Sequence, residues 1–89
     1  MARDDVFIKP SALKELEAVD SKKDRQRIVR TIRSLAEDPR PAGSRKLSGK
    51  DKCRVRSGQY RILYAVQDAL LAVTIVKVGH RRDARDVYR

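Results

Sequence analysis

The sequence predicts a small α+β domain, an antiparallel β-sheet in the order β-α-α-β-β-β with a two-helix hairpin packed on one face and a short C-terminal tail. Two observations carry this. Apolar residues recur at helical spacing through 11–37, interrupted at Asp20-Ser21, whereas 53–79 alternates with a period of two and holds a Gly-containing turn. Eighty-nine residues suffice for one domain, 1–89, able to fold without staples.

In chain order, Val6-Phe7-Ile8 is a short strand that Pro10 closes, because proline suits a first helical turn. A helix over 11–19 follows, with Ala12, Leu13, Leu16 and Val19 on its packing side. Ser21 and Asp24 have the spacing of a capping box and open a second helix reaching about residue 37. Its stripe is Ile28, Ile32 and Leu35, and its outer face carries Lys22, Lys23, Arg25, Arg27, Arg30 and Arg33. Basic helix faces are usually solvated, so no site is assigned there. Pro39 and Pro41 end the helix, and the loop to residue 51 contains Lys46 and an apolar pin, Leu47.

The stretch 53–64 reads as two strands joined at Gly58-Gln59, with Gly first as a type II′ turn requires. That pairing sets Ser57 against Tyr60, Arg56 against Arg61 and Val55 against Ile62. Arg54, Arg56 and Arg61 then share one face. Like charges directly opposed repel, so the choice lies between a solvated basic face and a site for an anion, phosphate above all. The last strand, 70–79, is expected to return through a tight turn near Asp68-Ala69, setting Tyr64 against Val73, Ile62 against Ile75 and Arg61 against Val76. Alternation then gives Tyr60, Ile62, Tyr64, Leu71, Val73 and Ile75 to the core, and Val76, Val78 and His80 to the arginine face.

Lys plus Arg number 22 against 12 Asp plus Glu, a formal charge of +10, which points to a polyanionic or acidic partner, nucleic acid first. One cysteine and one histidine exclude an internal disulfide and the usual zinc ligand sets, and no metal or other cofactor is expected. No apolar run approaches the ~20 residues of a membrane span. A cytoplasmic protein without membrane contact is expected. Carboxylate pairs for metal-assisted hydrolysis, a Gly-rich phosphate loop and a Ser-His-Asp trio are all lacking, which leaves metal-free phosphodiester chemistry. RNA can be cut by its own 2′-hydroxyl once protons are moved and the phosphorane's charge is stabilised, and arginine's planar fork suits the last task. His80 is either a polar residue at a strand end or a titratable group. Tyr88 is either an apolar anchor for the tail or a ring that stacks on a base.

The β-α-α-β-β-β order, the run from Arg54 through Tyr64 and the segment Val78-Gly79-His80-Arg81-Arg82 ending in Val87-Tyr88 resemble the RelE/ParE superfamily of type II toxins over nearly the whole chain. The RelE branch implies an endoribonuclease that enters the ribosomal A site, cleaves mRNA and is neutralised by an acidic antitoxin. The ParE branch implies the same fold poisoning DNA gyrase. A non-catalytic RNA- or ribosome-binding module is a third class on the same basic surface. By the resemblance, Arg61 stabilises the transition state, Arg81 serves the leaving group and Tyr88 stacks on the nucleotide. Arg54 and Arg56 stand where the founding sequence has lysines, and with Lys46, Arg82 and Arg85 they are the expected RNA-phosphate contacts. An arginine cannot give up its proton as a lysine can, so His80 is the expected general base, and the expected reaction is ribosome-dependent mRNA cleavage.

Overall fold

A computed structural model describes residues 4–47 and 52–80. The elements are β1 (Asp5–Ile8), α1 (Pro10–Glu17), α2 (Lys22–Ser34), β2 (Arg45–Lys46), β3 (Lys52–Ser57), β4 (Tyr60–Gln67), a 3-10 turn (Asp68–Leu70) and β5 (Ala72–His80). Ser21 caps α2 as its spacing predicts, its hydroxyl oxygen accepting from the Asp24 N–H at 3.2 Å. Ile28, Ile32 and Leu35 are buried against the sheet along with Ala12, Leu16 and Val19. Leu13, expected in the α1 stripe, is instead 42% exposed.

The five strands run in the order β1-β5-β4-β3-β2. The sheet is mixed, because β1 joins β5 in parallel, Asp5 to Ala72 through Ile8 to Ile75, while the remaining pairs are antiparallel. Here the expectation of an antiparallel sheet needs amending. The helix pair and three strands lie between β1 and β5 in the chain, and no local signal in a four-residue strand declares its partner.

The β3–β4 hairpin has the expected register, with Ser57 opposite Tyr60, Arg56 opposite Arg61 and Val55 opposite Ile62. Gly58 has φ +60° and Gln59 is not in the positive region, the pattern of a II′ turn. The β4–β5 register differs from the expected one. The connection is the 3-10 turn closed by Leu71 at φ +48°, so Gln67 pairs with Ala72 and Tyr64 with Ile75. Leu71, expected in the core, is 48% exposed there.

A bulge follows. Between Leu63 and Tyr64 the pairing shifts, so that Leu63 meets Lys77, Ile62 meets Val78, Arg61 meets Gly79 and Tyr60 meets His80. Without it, strict alternation from buried Ile75 would aim Lys77 into the core and Val78 out. With it, Val78 enters the core at 3% exposure. Beyond Ile75, β5 has outrun β1, and Glu15 of α1 covers that edge. Its Oε1 accepts from the Val78 N–H at 3.1 Å, and its Oε2 accepts from Lys77 Nζ at 2.8 Å. A backbone donor that the sheet leaves without a strand partner is thereby satisfied.

Candidate phosphate-binding site

On the face of the sheet away from the helices, the pairing sets Arg56 beside Arg61 and Arg54 between Leu63 of β4 and Arg45 of β2. Arg54 is buried at 7% exposure, Arg61 is half-buried and Arg56 is exposed. Arg45, Arg54 and Arg56 line one cleft with Gly43, a space of about 300 Å³. Gly43, in the cleft lining, has φ +94°, a conformation that favours glycine. Four guanidiniums on adjacent strands, in two directly opposed pairs, Arg45 with Arg54 and Arg56 with Arg61, make a cationic row matched to an extended polyanion.

The loop that delivers Arg45 is fastened at three points. Tyr64, fully buried on the core face, donates its hydroxyl to the Pro39 carbonyl at 2.7 Å. Arg40 forks onto Asp68 in the β4–β5 turn, Nη1 to Oδ1 and Nη2 to Oδ2, each at 3.0 Å. Burial first, and then the Cys53 sulfur beside it, pushes the Tyr64 hydroxyl up to about 12. The hydrogen bond from Arg40 holds the Asp68 carboxyl below its ordinary value. Leu47, half-buried, donates its N–H to the Lys52 carbonyl at 2.8 Å and ties the loop's far end to β3.

His80 does not join this row. The bulge turns it to the helix side, opposite Tyr60, where the two rings meet edge to face with centroids 5.4 Å apart. Val78 likewise sits in the core and not on the arginine face. Lys46 pairs with Cys53 and so takes the other side of β2, and the residue of this strand that the fold brings to the row is Arg45. Arg81, Arg82, Arg85 and Tyr88 lie outside the described residues. Among the described residues, no three His, Cys, Asp or Glu side chains gather as metal ligands, and no helix is long and apolar enough to cross a membrane.

The family model described as "ParE toxin of type II toxin-antitoxin system, parDE" matches residues 6–85, from the first strand into the C-terminal tail. The chain belongs to this toxin family. It is a type II toxin of the RelE/ParE superfamily, and its solved neighbours carry the other half of that name. A chain of the archaeal RelE-RelB complex from Pyrococcus horikoshii is 28% identical, with a TM-score of 0.81 over 91% of this chain and 98% of that one. A chain of a RelBE toxin-antitoxin complex from Mycobacterium tuberculosis is 23% identical, with a TM-score of 0.78 over 90% of this chain and 100% of that one. A chain of the intact E. coli RelBE complex is 24% identical, with a TM-score of 0.75 over 86% and 95%. No curated protein matches.

The facing of the hairpin arginines was readable because a two-residue turn fixes their register locally. Arg45 was not, since a strand of two residues offers no period to read. His80 was assigned to the wrong face because a bulge reverses alternation without leaving a glycine or proline at the point of insertion.

Proposed function

We propose that this toxin acts on mRNA at the ribosomal A site, in the cytoplasm, as a metal-independent endoribonuclease whose arginine row holds the scissile strand. The observation that carries the reading is the opposed pair Arg56 and Arg61, flanked by buried Arg54. Such a cluster is unfavourable for a bare fold and favourable around a phosphate. In the cleavage step the 2′-hydroxyl attacks phosphorus, its proton leaves, and the 5′-oxygen departs and takes one up. The phosphorane between carries an extra negative charge. Arg61 and Arg56 stabilise that charge and move no proton, so the proton transfers fall to the tail, the RNA or the ribosome. In this reading Arg81 and Tyr88 keep the roles that the family resemblance implies, leaving-group assistance and base stacking. The partner that silences the toxin is an acidic antitoxin, by analogy with the RelB chains of the neighbouring complexes.

A second reading, inhibition of DNA gyrase, is favoured by one finding, the match to the ParE family model. Parallel assays separate the two. The purified chain is added to a cell-free translation reaction whose mRNA 3′ ends are mapped, and to a gyrase supercoiling reaction. In-frame cuts on translated messages that Arg61→Ala abolishes support the nuclease. Intact messages with blocked supercoiling support the gyrase poison.

A further inference from the structure

The outer face of α2 lies across the sheet from the arginine row, and the two approach each other at the tip of the β3–β4 hairpin. Lys23, Arg27 and Arg30 fall at i, i+4 and i+7, one exposed stripe on the side of the helix opposite buried Ile28 and Ile32. Among the described residues, none of the three forms an ion pair or a side-chain hydrogen bond. Arg25, by contrast, is half-buried and committed to the Val19 carbonyl. Arg27 reaches across to the β3–β4 turn, where its Nη1 lies 3.6 Å from the point a β-carbon on Gly58 would occupy. That turn joins the strands holding Arg56 and Arg61. Arg27 thus brings the cationic stripe of α2 to the hairpin tip, next to the strands that carry Arg56 and Arg61.

From this geometry we infer that Lys23, Arg27 and Arg30 form a second, sequence-independent docking surface for RNA phosphates, continuing the track begun at the arginine row. This rests on the RNA reading above and extends it to RNA lying beyond the scissile nucleotides. Seven residues of helix span about 10 Å, the axial length over which one strand of a duplex presents about three phosphates. The stripe contains no apolar side chain, and its next turn offers Ser34. The hollow between the two helices beside the stripe, where Leu16 and Val29 lie, is rimmed by Lys22, Arg25, Arg30 and Arg33, so the stripe and its border both offer charge, which is what a phosphate backbone requires.

The test is the triple variant Lys23→Gln, Arg27→Gln, Arg30→Gln, whose sites are all exposed, with thermal unfolding to verify the fold. Binding to a labelled RNA hairpin duplex, and separately to a single strand of equal length, is measured against salt concentration. Loss of three phosphate contacts is expected to make the log-log slope shallower by about 2–3 and to weaken binding roughly ten- to a hundredfold at about 0.1 M salt. The arm with the larger change identifies the form of RNA held. Parental affinity and slope in both arms overturn the assignment. A variant that keeps its RNA binding but loses its hold on polyglutamate overturns it in favour of an acidic protein. The two readings fail separately. A parent chain that binds RNA through the stripe but never cuts message refutes the nuclease and leaves the stripe standing.

Discussion

A row of like charges held for a ligand should cost the free fold stability, and Arg56→Gln measures that cost. In a two-residue hairpin the pair flanking the turn, Ser57 and Tyr60, is the hydrogen-bonded one, so Arg56 and Arg61 form a non-hydrogen-bonded pair, the closer kind. Two unit charges about 7 Å apart, a spacing that the roughly 5 Å between facing β-carbons allows, repel by about 0.6–2.4 kcal/mol at an effective dielectric between 20 and 80. Arg56 is exposed, and screening at 0.1 M salt roughly halves the figure, leaving about 0.3–1 kcal/mol. Arg56→Gln is therefore expected to raise the free energy of urea unfolding by that amount at 0.1 M salt and to gain almost nothing at 1 M, where the screening length is about 3 Å. The gain must exceed that of Lys9→Gln, which removes the same unit of charge with no cation paired opposite it. RNA binding by the same variant should weaken, its salt slope falling by about 0.7–0.9. A variant less stable than the parent, or a gain that survives 1 M salt, would refute the account of Arg56 and Arg61 as an electrostatically strained pair.

Two further outcomes follow from the loop that carries Arg45. Tyr64 has its hydroxyl pushed up to about 12, so it contributes stability in full below its ordinary value of 10 and loses it as pH rises from 10 through 12. Tyr64→Phe is expected to cost about 1–2 kcal/mol at neutral pH through the lost bond to Pro39, and the gap between parent and variant should shrink over that alkaline range in urea unfolding. A constant gap up to pH 12 would contradict the burial of the neutral phenol. Asp68, held below its ordinary 3.8 by Arg40, contributes stability above that value and loses it as pH falls through its lowered one. Asp68→Asn should show a shallower acid limb than the parent in thermal unfolding between about pH 5 and 2, with parallel curves as the refuting result.

What could be read from the residues was what nearby residues decide. The capped start of α2, its stripe through Leu35 and the II′ turn at Gly58 each depend on contacts within a few positions, and all three are as expected. The parallel β1–β5 pair depends on residues nearly seventy positions apart. The bulge depends on a competition that no window of β5 displays, Val78 or Lys77 into the core, with the Glu15 carboxylate on α1 ready to receive the Lys77 ammonium when Val78 wins. Helix α1 illustrates both cases. Its buried Ala12 and Leu16 follow from periodicity, whereas the use of Glu15 to cover the edge of β5 appears only once the helix lies on that strand.

The bulge also changes what the only histidine can do. A general base on the arginine row would make His80→Ala cost on the order of 10²–10⁴ in cleavage rate. Opposite Tyr60 on the far side of the sheet, His80 cannot reach a phosphate gripped by Arg56 and Arg61, since successive side chains on a strand point to opposite faces. His80→Ala should instead leave cleavage within about tenfold of the parent, with the same pH profile, while the lost edge-to-face contact with Tyr60 costs about 0.5–1.5 kcal/mol of stability. Arg61→Ala should do the reverse, leaving the fold intact and lowering the rate by about 10²–10³, the usual loss when one preorganised donor to a developing charge is removed. Mapped mRNA ends and urea unfolding on the two variants check both halves. If His80→Ala abolishes cleavage and flattens the acid limb of its pH profile while its stability is unchanged, the ring works on the arginine side, and the strand must reset its register to take it there.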